Sequence, residues 1–115
     1  MIETIVIPEI HPSINIWQGW HWTKYNKEKQ RWSEMVGWLC KGKKKFLGKV
    51  EIEVVTYFDT KRKHDLDNYT PKFILDPLVK SGIIVDDNSE IVTKLSTVFK
   101  HDAFAPRTEV IIYQL

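Results

Sequence analysis

The stretch Arg62-Lys-His-Asp-Leu-Asp-Asn-Tyr-Thr-Pro-Lys-Phe-Ile-Leu-Asp-Pro-Leu-Val-Lys-Ser-Gly-Ile-Ile-Val-Asp-Asp-Asn88 decides how this chain folds. Two aspartate pairs, Asp65 with Asp67 and Asp86 with Asp87, bracket one amphipathic segment. Carboxylates gathered in one place raise one another's pKa and repel one another unless a cation joins them. The stretch therefore predicts a helix followed by a short apolar run, 83–85, that returns the chain toward its starting end, where the two pairs meet.

The helix has recognisable boundaries in the sequence. Thr70 suits an N-cap, and Pro71 suits the first helical position, where its missing N–H is not needed. Gly82 predicts the end of the helix. Pro77 lies inside and removes one backbone hydrogen bond, which predicts a kink or a local widening. The buried face is formed by Phe73, Ile74, Leu78 and Val79.

The acidic residues predict a site for a hard divalent cation. In an extended backbone Asp65 and Asp67 point to the same side, while Leu66 turns into the core. Mg²⁺ prefers oxygen ligands, so it would relieve the repulsion within the acidic cluster. Lys72 and the positive N-terminus of the helix would lie beside the metal, in a place suited to a phosphate. This combination is typical of phosphoryl-transfer chemistry.

Two simpler interpretations compete with a metal site. The run that begins at Asp65 resembles a calcium loop, but Tyr69 and Thr70 stand where a ligand and a glycine are required, so we reject a calcium hand. The run 86–88, taken alone, is typical of a solvated turn. Asp76, inside the helix, is more typical of a surface residue than of a metal ligand.

The remaining chain predicts an α+β fold. The expected order is β-α-β-α-β-β, a small mixed sheet of about four strands with two main helices packed against it. Residues 1–115 form a single domain on this interpretation, as expected for a chain of 115 residues. The predicted strands are 3–7, 46–58, 91–100 and 109–113; the predicted helix before the central stretch is 23–40, with Trp32 in the core; and 8–22 is an irregular loop.

The composition bounds the cellular setting. No apolar run approaches the roughly 20 residues of a membrane-spanning helix, and the N-terminus lacks a signal-peptide pattern, so we expect a cytoplasmic protein without a membrane partner. The one cysteine, Cys40, has no cysteine or histidine neighbour at zinc-finger spacing and predicts a structural thiol.

Basic and aromatic residues suggest a nucleic-acid surface. The block 24–63 contains 12 Lys and Arg against 5 Asp and Glu, although its lysine run 41–45 is equally typical of a solvated loop. The tryptophans of the loop 8–22 either stack on bases or close one end of the core. The candidate DNA contacts are Lys24, Lys27, Arg62, Lys63, Trp20 and Trp22.

Several of these residues together resemble the RusA-type Holliday-junction resolvases, a family usually found in phage and prophage genomes. The residues that carry the resemblance are the turn Pro12-Ser13-Ile14-Asn15, the motif Asp65-Leu66-Asp67-Asn68, Lys72, Asp76, Leu78, Gly82 and the pair Asp86-Asp87. The resemblance extends over nearly the whole chain, but its specificity lies in residues 65–87.

The resemblance implies a homodimeric, Mg²⁺-dependent endonuclease that nicks branched DNA symmetrically at four-way junctions, with Mn²⁺ as an expected substitute. It implies that Asp65, Asp67 and Asp87 bind the metal and that Lys72 is the active-site lysine. Lys72 follows Asp65 by seven residues rather than the family's commoner six, which places one extra residue near Pro71. Asn68 is expected to orient Asp67 or to cap the helix, and Asp86 to be a water-mediated ligand or a turn residue.

Two other functions remain open at this point. The first alternative is that the chain is a non-catalytic module, which binds junctions or single strands through the basic block 24–63 and the loop tryptophans. A pure polyanion binder, however, gains nothing from four nearby negative charges. The other alternative is a related metal nuclease that acts on flaps or RNA.

Overall fold

The computed structural model describes residues 1–115 as four strands, three helices and one 3₁₀ turn. The elements in chain order are β1 (Ile2–Ile7), α1 (Ile14–Trp17), α2 (Trp22–Leu39), β2 (Val50–Phe58), the 3₁₀ turn (Leu66–Asn68), α3 (Lys72–Lys80), β3 (Val92–His101) and β4 (Arg107–Gln114). With the single-turn α1 set aside, this is the predicted order β-α-β-α-β-β, and the predicted α+β class is confirmed. No helix of the protein is both long and apolar enough to cross a membrane.

The four strands form one mixed sheet in the order β1-β4-β2-β3. β4 lies antiparallel to both β1 and β2, whereas β2 and β3 are parallel. Parallel neighbours need a crossover connection, and α3 lies within the connection between β2 and β3. The end of β2 therefore lies beside the end of β3, with Phe58 opposite His101.

One face of the sheet carries the core. Alternate residues of β2, namely Val50, Ile52 and Val54, are buried, as the period of two predicts. They join buried residues of the neighbouring strands and of both long helices in one cluster. On the opposite face of β2, Glu51 and Tyr57 are only half-buried. The helical residues of the core are Trp32, Val36, Phe73, Ile74 and Leu78.

α2 and α3 lie side by side and point in the same direction. Near their starts, the rings of Tyr25 and Phe73 are 5.5 Å apart between centroids. Further along, Lys29 Nζ is 3.4 Å from Asp76 Oδ2. At their ends, both helices line a common cleft. The two N-termini are therefore at one end of the helical layer and the two C-termini at the other.

The end of α3 was predicted correctly, whereas its start was not. Gly82 has φ +78°, its N–H donates to Val79 O at 3.0 Å, and the next N–H donates to Leu78 O at 3.1 Å. These are the hydrogen bonds of a glycine C-terminal cap. The predicted N-cap at Thr70 is wrong, because Pro71 has non-helical ψ 40° and occupies the cap position itself.

Two further details differ from the sequence-based expectations. β2 begins at Val50 rather than at Phe46, which is buried outside the strand and donates its N–H to Ile83 O at 2.8 Å. The predicted loop 8–22 contains the short helix α1. As predicted, Pro77 lies inside α3, which continues for three residues past it, and Pro77 is buried.

Candidate active site

Asp65 and Asp67 share one cleft, although not in the predicted conformation. Asp65 is extended, with φ −85° and ψ 130°, but Asp67 belongs to the 3₁₀ turn. Both line a cleft of about 330 Å³ together with Asn15 and Asn68. Because the backbone turns here instead of continuing as a strand, Leu66 points outward and is 58% exposed. The prediction that Leu66 enters the core is therefore wrong.

Asn68 fixes this turn to the beginning of α1. Its Oδ1 accepts a hydrogen bond from the backbone N–H of Asn15 at 3.0 Å. The side chain thus satisfies a free N–H in the first turn of α1. Asn68 was expected to orient Asp67 or to cap the helix that follows it, whereas the helix it caps is α1, far earlier in the chain.

Lys72 and Asp87 share a second cleft. This cleft has a volume of about 430 Å³ and also contains Thr70, Asp76 and Leu95. Lys72 is exposed, and its Nζ lies 5.6 Å from the ring centroid of Trp17. Lys72 and Asp87 therefore line the same cleft despite the extra residue near Pro71.

Asp87 is in an electrostatically unfavourable position for a carboxylate. Desolvation raises the pKa of Asp87 above its usual value, and a side-chain hydrogen bond with Asp86 and repulsion from Asp76 act in the same direction. Asp86 also accepts the N–H of Asp87 at 2.7 Å, which is the contact expected of a turn residue. Asp76 is partly neutralised by Lys29 at 3.4 Å. A cation in this cleft would relieve the repulsion on Asp87.

The structure does not bring the three predicted metal ligands into one group. No set of three or more His, Cys, Asp or Glu side chains lies close enough together to hold a metal ion. Asp65 and Asp67 line one cleft and Asp87 lines the other, while the chain between the clefts runs through Tyr69. The donor atoms are of the type that Mg²⁺ prefers. Their chemistry fits this metal, but the arrangement of the three carboxylates is not that of a closed site.

Aromatic packing holds both ends of the acidic turn. His64, which precedes Asp65, stacks on Phe58 with ring centroids 3.7 Å apart and planes at 9°. Tyr69, which follows Asn68, meets Phe58 edge-on at 5.2 Å and Phe99 at 5.5 Å. The turn between them is therefore anchored to the ends of β2 and β3, so that the carboxylates are held on the sheet.

His11 contacts Tyr69 at the end of the acidic turn and was not identified as a candidate in the sequence. It is fully buried, its Nε2 lies 3.3 Å from Thr56 Oγ1, and its ring meets Tyr69 edge-on at 5.7 Å. Burial lowers the pKa of His11 to about 4, and the backbone of Thr70 opposes that shift. Its Nδ1 has no partner with full hydrogen-bond geometry. In the sequence, His11 lies outside the charged motifs and cannot be distinguished from an ordinary loop histidine.

Arg62 and Lys63 line a strongly basic cleft next to the acidic turn. The cleft has a volume of about 370 Å³, and its wall includes Lys100 and His101 at the end of β3. These two residues were missed in the sequence because they join Arg62 and Lys63 only through the parallel pairing of β2 with β3. Phosphates are the natural ligands of such a surface. The basic residues of this cleft are Lys61, Arg62, Lys63, His64, Lys100 and His101.

The other candidate DNA contacts lie at the start of α2, beside the start of α3. Trp20 is half-buried, with its ring edge-on to Phe73 at 6.3 Å and Lys24 Nζ 5.1 Å from its centroid. Trp22 is 69% exposed, and Lys27 is exposed as well. Trp17 and Trp20 both pack against the core, as the structural interpretation of the loop expects. Trp22 leaves its ring free to stack on a base.

The basic block 24–63 does not form one surface. Lys29 pairs with Asp76, and Arg31 pairs with Glu9 and Glu28. Lys61, Arg62 and Lys63 line one cleft, and Lys41, Lys43 and Lys45 line a separate cleft at the helix C-termini. The other cations of the block line neither cleft; they are Lys24, Lys27, Lys44 and Lys49. The expectation of one polyanion-binding block is therefore corrected to two separate basic clefts.

A family model covers nearly the whole chain. The family model described as Endodeoxyribonuclease RusA matches residues 6–113. The match includes both clefts, the acidic turn and the whole sheet apart from the first residues of β1 and the last of β4. No curated protein matches the chain.

Proposed function

The chain belongs to the RusA family of endodeoxyribonucleases, and from that premise we propose that it resolves four-way DNA junctions by Mg²⁺-dependent, paired nicks in recombination and repair. The observation that carries the proposal is the placement of Asp65 and Asp67 in one cleft beside the cleft of Lys72 and Asp87. The carboxylates and Lys72 thus lie next to the basic cleft of Arg62 and Lys63. Cleavage of a polyanion requires both metal-binding carboxylates and cations that bind phosphates.

The proposed metal ligands are Asp65, Asp67 and Asp87. When bound, Mg²⁺ supplies an activated water and stabilises negative charge on the phosphate, and Mn²⁺ is expected to replace it. Because the carboxylates lie in two clefts, binding of the metal is expected to be coupled to a rearrangement around Tyr69. Trp17, whose ring lies below Lys72, provides a fluorescent probe of that change.

Lys72 is the proposed catalytic cation. Lys72 is the first residue of α3, at the end where the helix leaves its first N–H groups unpaired. The ammonium and these N–H groups both favour a phosphate oxygen at this point. The ring of Trp17 on one side of Lys72 limits the directions in which the ammonium can point. We propose that Lys72 stabilises the charge that develops on the phosphate or on the leaving oxygen.

The DNA backbone is proposed to follow the basic residues around this centre. Arg62 and Lys63 lie on one side, next to the acidic turn, and Lys24 and Lys27 lie at the start of α2 on the other. Trp22, with its exposed ring, is proposed to stack on a base at the branch point, and Trp20 to support Lys24.

Two cuts at related positions require two active sites, so we propose a two-fold homodimer. Light scattering of the purified protein in solution tests this directly. A single protomer at all concentrations at which junctions are cleaved would contradict the dimer without affecting the assignment of the active site.

The main experiment follows cleavage of a labelled four-way junction with Mg²⁺ and with EDTA. Asp67→Asn is expected to lower the rate by about a hundredfold or more, since it removes a charged ligand while preserving shape. Asp59→Asn is the matched control, because Asp59 is exposed and lines neither cleft. Unchanged cleavage by Asp67→Asn would rule out the proposed site.

The same assay separates the alternative functions. Tight junction binding without metal-dependent nicking would favour a non-catalytic binding module. Faster cleavage of a flap or an RNA substrate than of the junction would favour a related metal nuclease. Parallel Mg²⁺ titrations monitored by tryptophan fluorescence show whether the metal binds at all, independently of the substrate chosen.

A further inference from the structure

A second basic cleft lies at the far end of the helical layer, away from the acidic residues. It has a volume of about 510 Å³ and lies between the C-termini of α2 and α3. Three of its lysines follow α2, and the fourth is the last residue of α3. The polar residues that line it are Lys41, Lys43, Lys45, Lys80, Ser33 and Ser81.

The charge of this cleft exceeds what the helices need. Each helix C-terminus carries a partial charge of about −0.5, so the two together offset roughly one lysine. Lys43 has an acidic partner in Glu3, 3.6 Å away. No carboxylate lines the cleft itself. The Lys41 ammonium also lies 4.4 Å from the ring centroid of Trp38, which is a neutral partner. About two of the four positive charges therefore remain without a compensating carboxylate or helix dipole, and the lysines line one concave surface.

The arrangement also differs from that of a solvated lysine loop. Lys44 belongs to the same run but does not line the cleft, whereas Lys80 comes from α3, far along the chain, and does. The floor of the cleft is open at Gly37, where an added Cβ would meet no atom within 4 Å. The lysines thus surround an accessible space.

The cleft lies on the same side of α3 as the proposed active-site lysine. Lys72, Asp76 and Lys80 are spaced four residues apart, which places them along one ridge of the helix. With a rise of about 1.5 Å per residue, Lys80 in the cleft lies roughly 12 Å from Lys72 along the helix axis. One turn of B-DNA spans about 34 Å, so a single DNA arm can reach both points within half a turn. Between them, Asp76 is paired with Lys29.

We propose that this lysine cleft binds backbone phosphates of a DNA arm at a distance from the cut, and so fixes the direction in which the arm leaves the active site. The proposal rests on the proposed function, since it needs DNA as the substrate. It assigns no role in the chemical step to the cleft. Lysines hold a phosphate as point charges, so the site is expected to be insensitive to DNA sequence.

The test compares two double variants that have the same net charge. Lys41→Gln with Lys80→Gln removes two cleft lysines, and Lys44→Gln with Lys49→Gln removes two exposed lysines outside it. Binding of a fluorescent four-way junction is measured in EDTA at several salt concentrations. The slope of log K against log salt is expected to fall by about 1.8 for the cleft pair, since each lost phosphate contact contributes roughly 0.9. Affinity at low salt is expected to fall about tenfold or more.

A second measurement locates the contact on the DNA. Junctions with single neutral methylphosphonates at successive positions along one arm are expected to bind the wild-type protein more weakly at one short run of positions. The same substitutions are expected to have no further effect on the cleft pair. Urea midpoints of both variants verify that folding is unchanged.

Equal salt slopes for the cleft pair and the control pair would overturn the proposal, because only net charge would then matter. A wild-type protein indifferent to every methylphosphonate would overturn it as well. Because EDTA is present, these measurements do not depend on cleavage. The two proposals can therefore fail separately. Unchanged nicking by Asp67→Asn would contradict the active site, whereas equal salt slopes of the two lysine variants would contradict the cleft.

Discussion

His11 makes the stability of the protein dependent on pH in a way that can be calculated. In the folded protein its pKa is about 4, against 6.5 for an unperturbed histidine. As the pH falls below 6.5 the unfolded chain takes up a proton that the folded protein does not, so acid favours unfolding. Stability is therefore lost between pH 6.5 and pH 4, and the contribution is fully present above this range.

The size of the effect follows from the two pKa values. Within the window, one proton separates the two states, and the free energy of unfolding falls by about 1.4 kcal/mol for each pH unit. At pH 5 the accumulated loss is about 2 kcal/mol, and below pH 4 it approaches roughly 3 kcal/mol. This is a large fraction of the total stability expected for a domain of this size.

The assay is urea unfolding followed by tryptophan fluorescence from pH 7.5 to pH 4.5. His11→Gln retains a hydrogen-bonding group for Thr56 but cannot titrate, so the variant is expected to lose the steep part of the curve. It should start about 1 kcal/mol less stable at pH 7.5. His101→Gln, at an exposed position, is the matched control and should follow the wild type.

The carboxylates whose pKa is lowered, among them Glu9 and Asp102, also lose their favourable interactions in acid. They are present in both proteins, so the difference between wild type and His11→Gln isolates the histidine. Parallel curves for the two proteins over the whole range would refute the reasoning, since His11 would then titrate alike in the folded and unfolded states.

Three other predictions use the same urea assay or the cleavage assay. Gly82→Ala should lower stability by about 1–2 kcal/mol because the φ of Gly82 is +78°. Gly37→Ala, inside α2 with open space around it, should raise stability by about 0.5–1 kcal/mol. Equal effects of the two substitutions would contradict the assigned backbone conformation of Gly82. Ile74→Ala, at a fully buried position, should cost about 2–5 kcal/mol, and Ile16→Ala, 56% exposed, should cost far less. Lys72→Gln should slow junction cleavage about a hundredfold with less than about threefold change in binding; a loss confined to binding would place Lys72 outside the catalytic centre.

The local structure of this protein was predictable because it depends on neighbouring residues. Alternating apolar residues predicted β2, and the spacing of Trp32 and Val36 predicted α2. Gly82 marked a helix end for a reason intrinsic to glycine, namely its ease at positive φ. The start of the same helix was predicted wrongly: Pro71 suited the first helical position, but its ψ of 40° is not helical and α3 begins at Lys72.

The central stretch 62–88 was identified from the types of its residues alone. Its aspartates and Lys72 indicated a metal-dependent phosphoryl-transfer site, and the match to the RusA family confirms the resemblance. Which aspartates bind metal stays a prediction, since the structure separates Asp65 and Asp67 from Asp87. The separation of these carboxylates depends on how the acidic turn is anchored to the sheet, so it cannot be predicted from a local sequence pattern.

Tertiary structure decided what residues distant in the chain do together. The sheet order β1-β4-β2-β3 places the end of β3 beside the end of β2, so that Lys100 joins Arg62 in one basic cleft. The parallel packing of α2 on α3 brings Lys80 to the lysines that follow α2. The sequence by itself determined the elements and the kind of chemistry, because both depend on residue type and short spacing. Only the fold decided which charges share a surface, because that depends on contacts between distant segments.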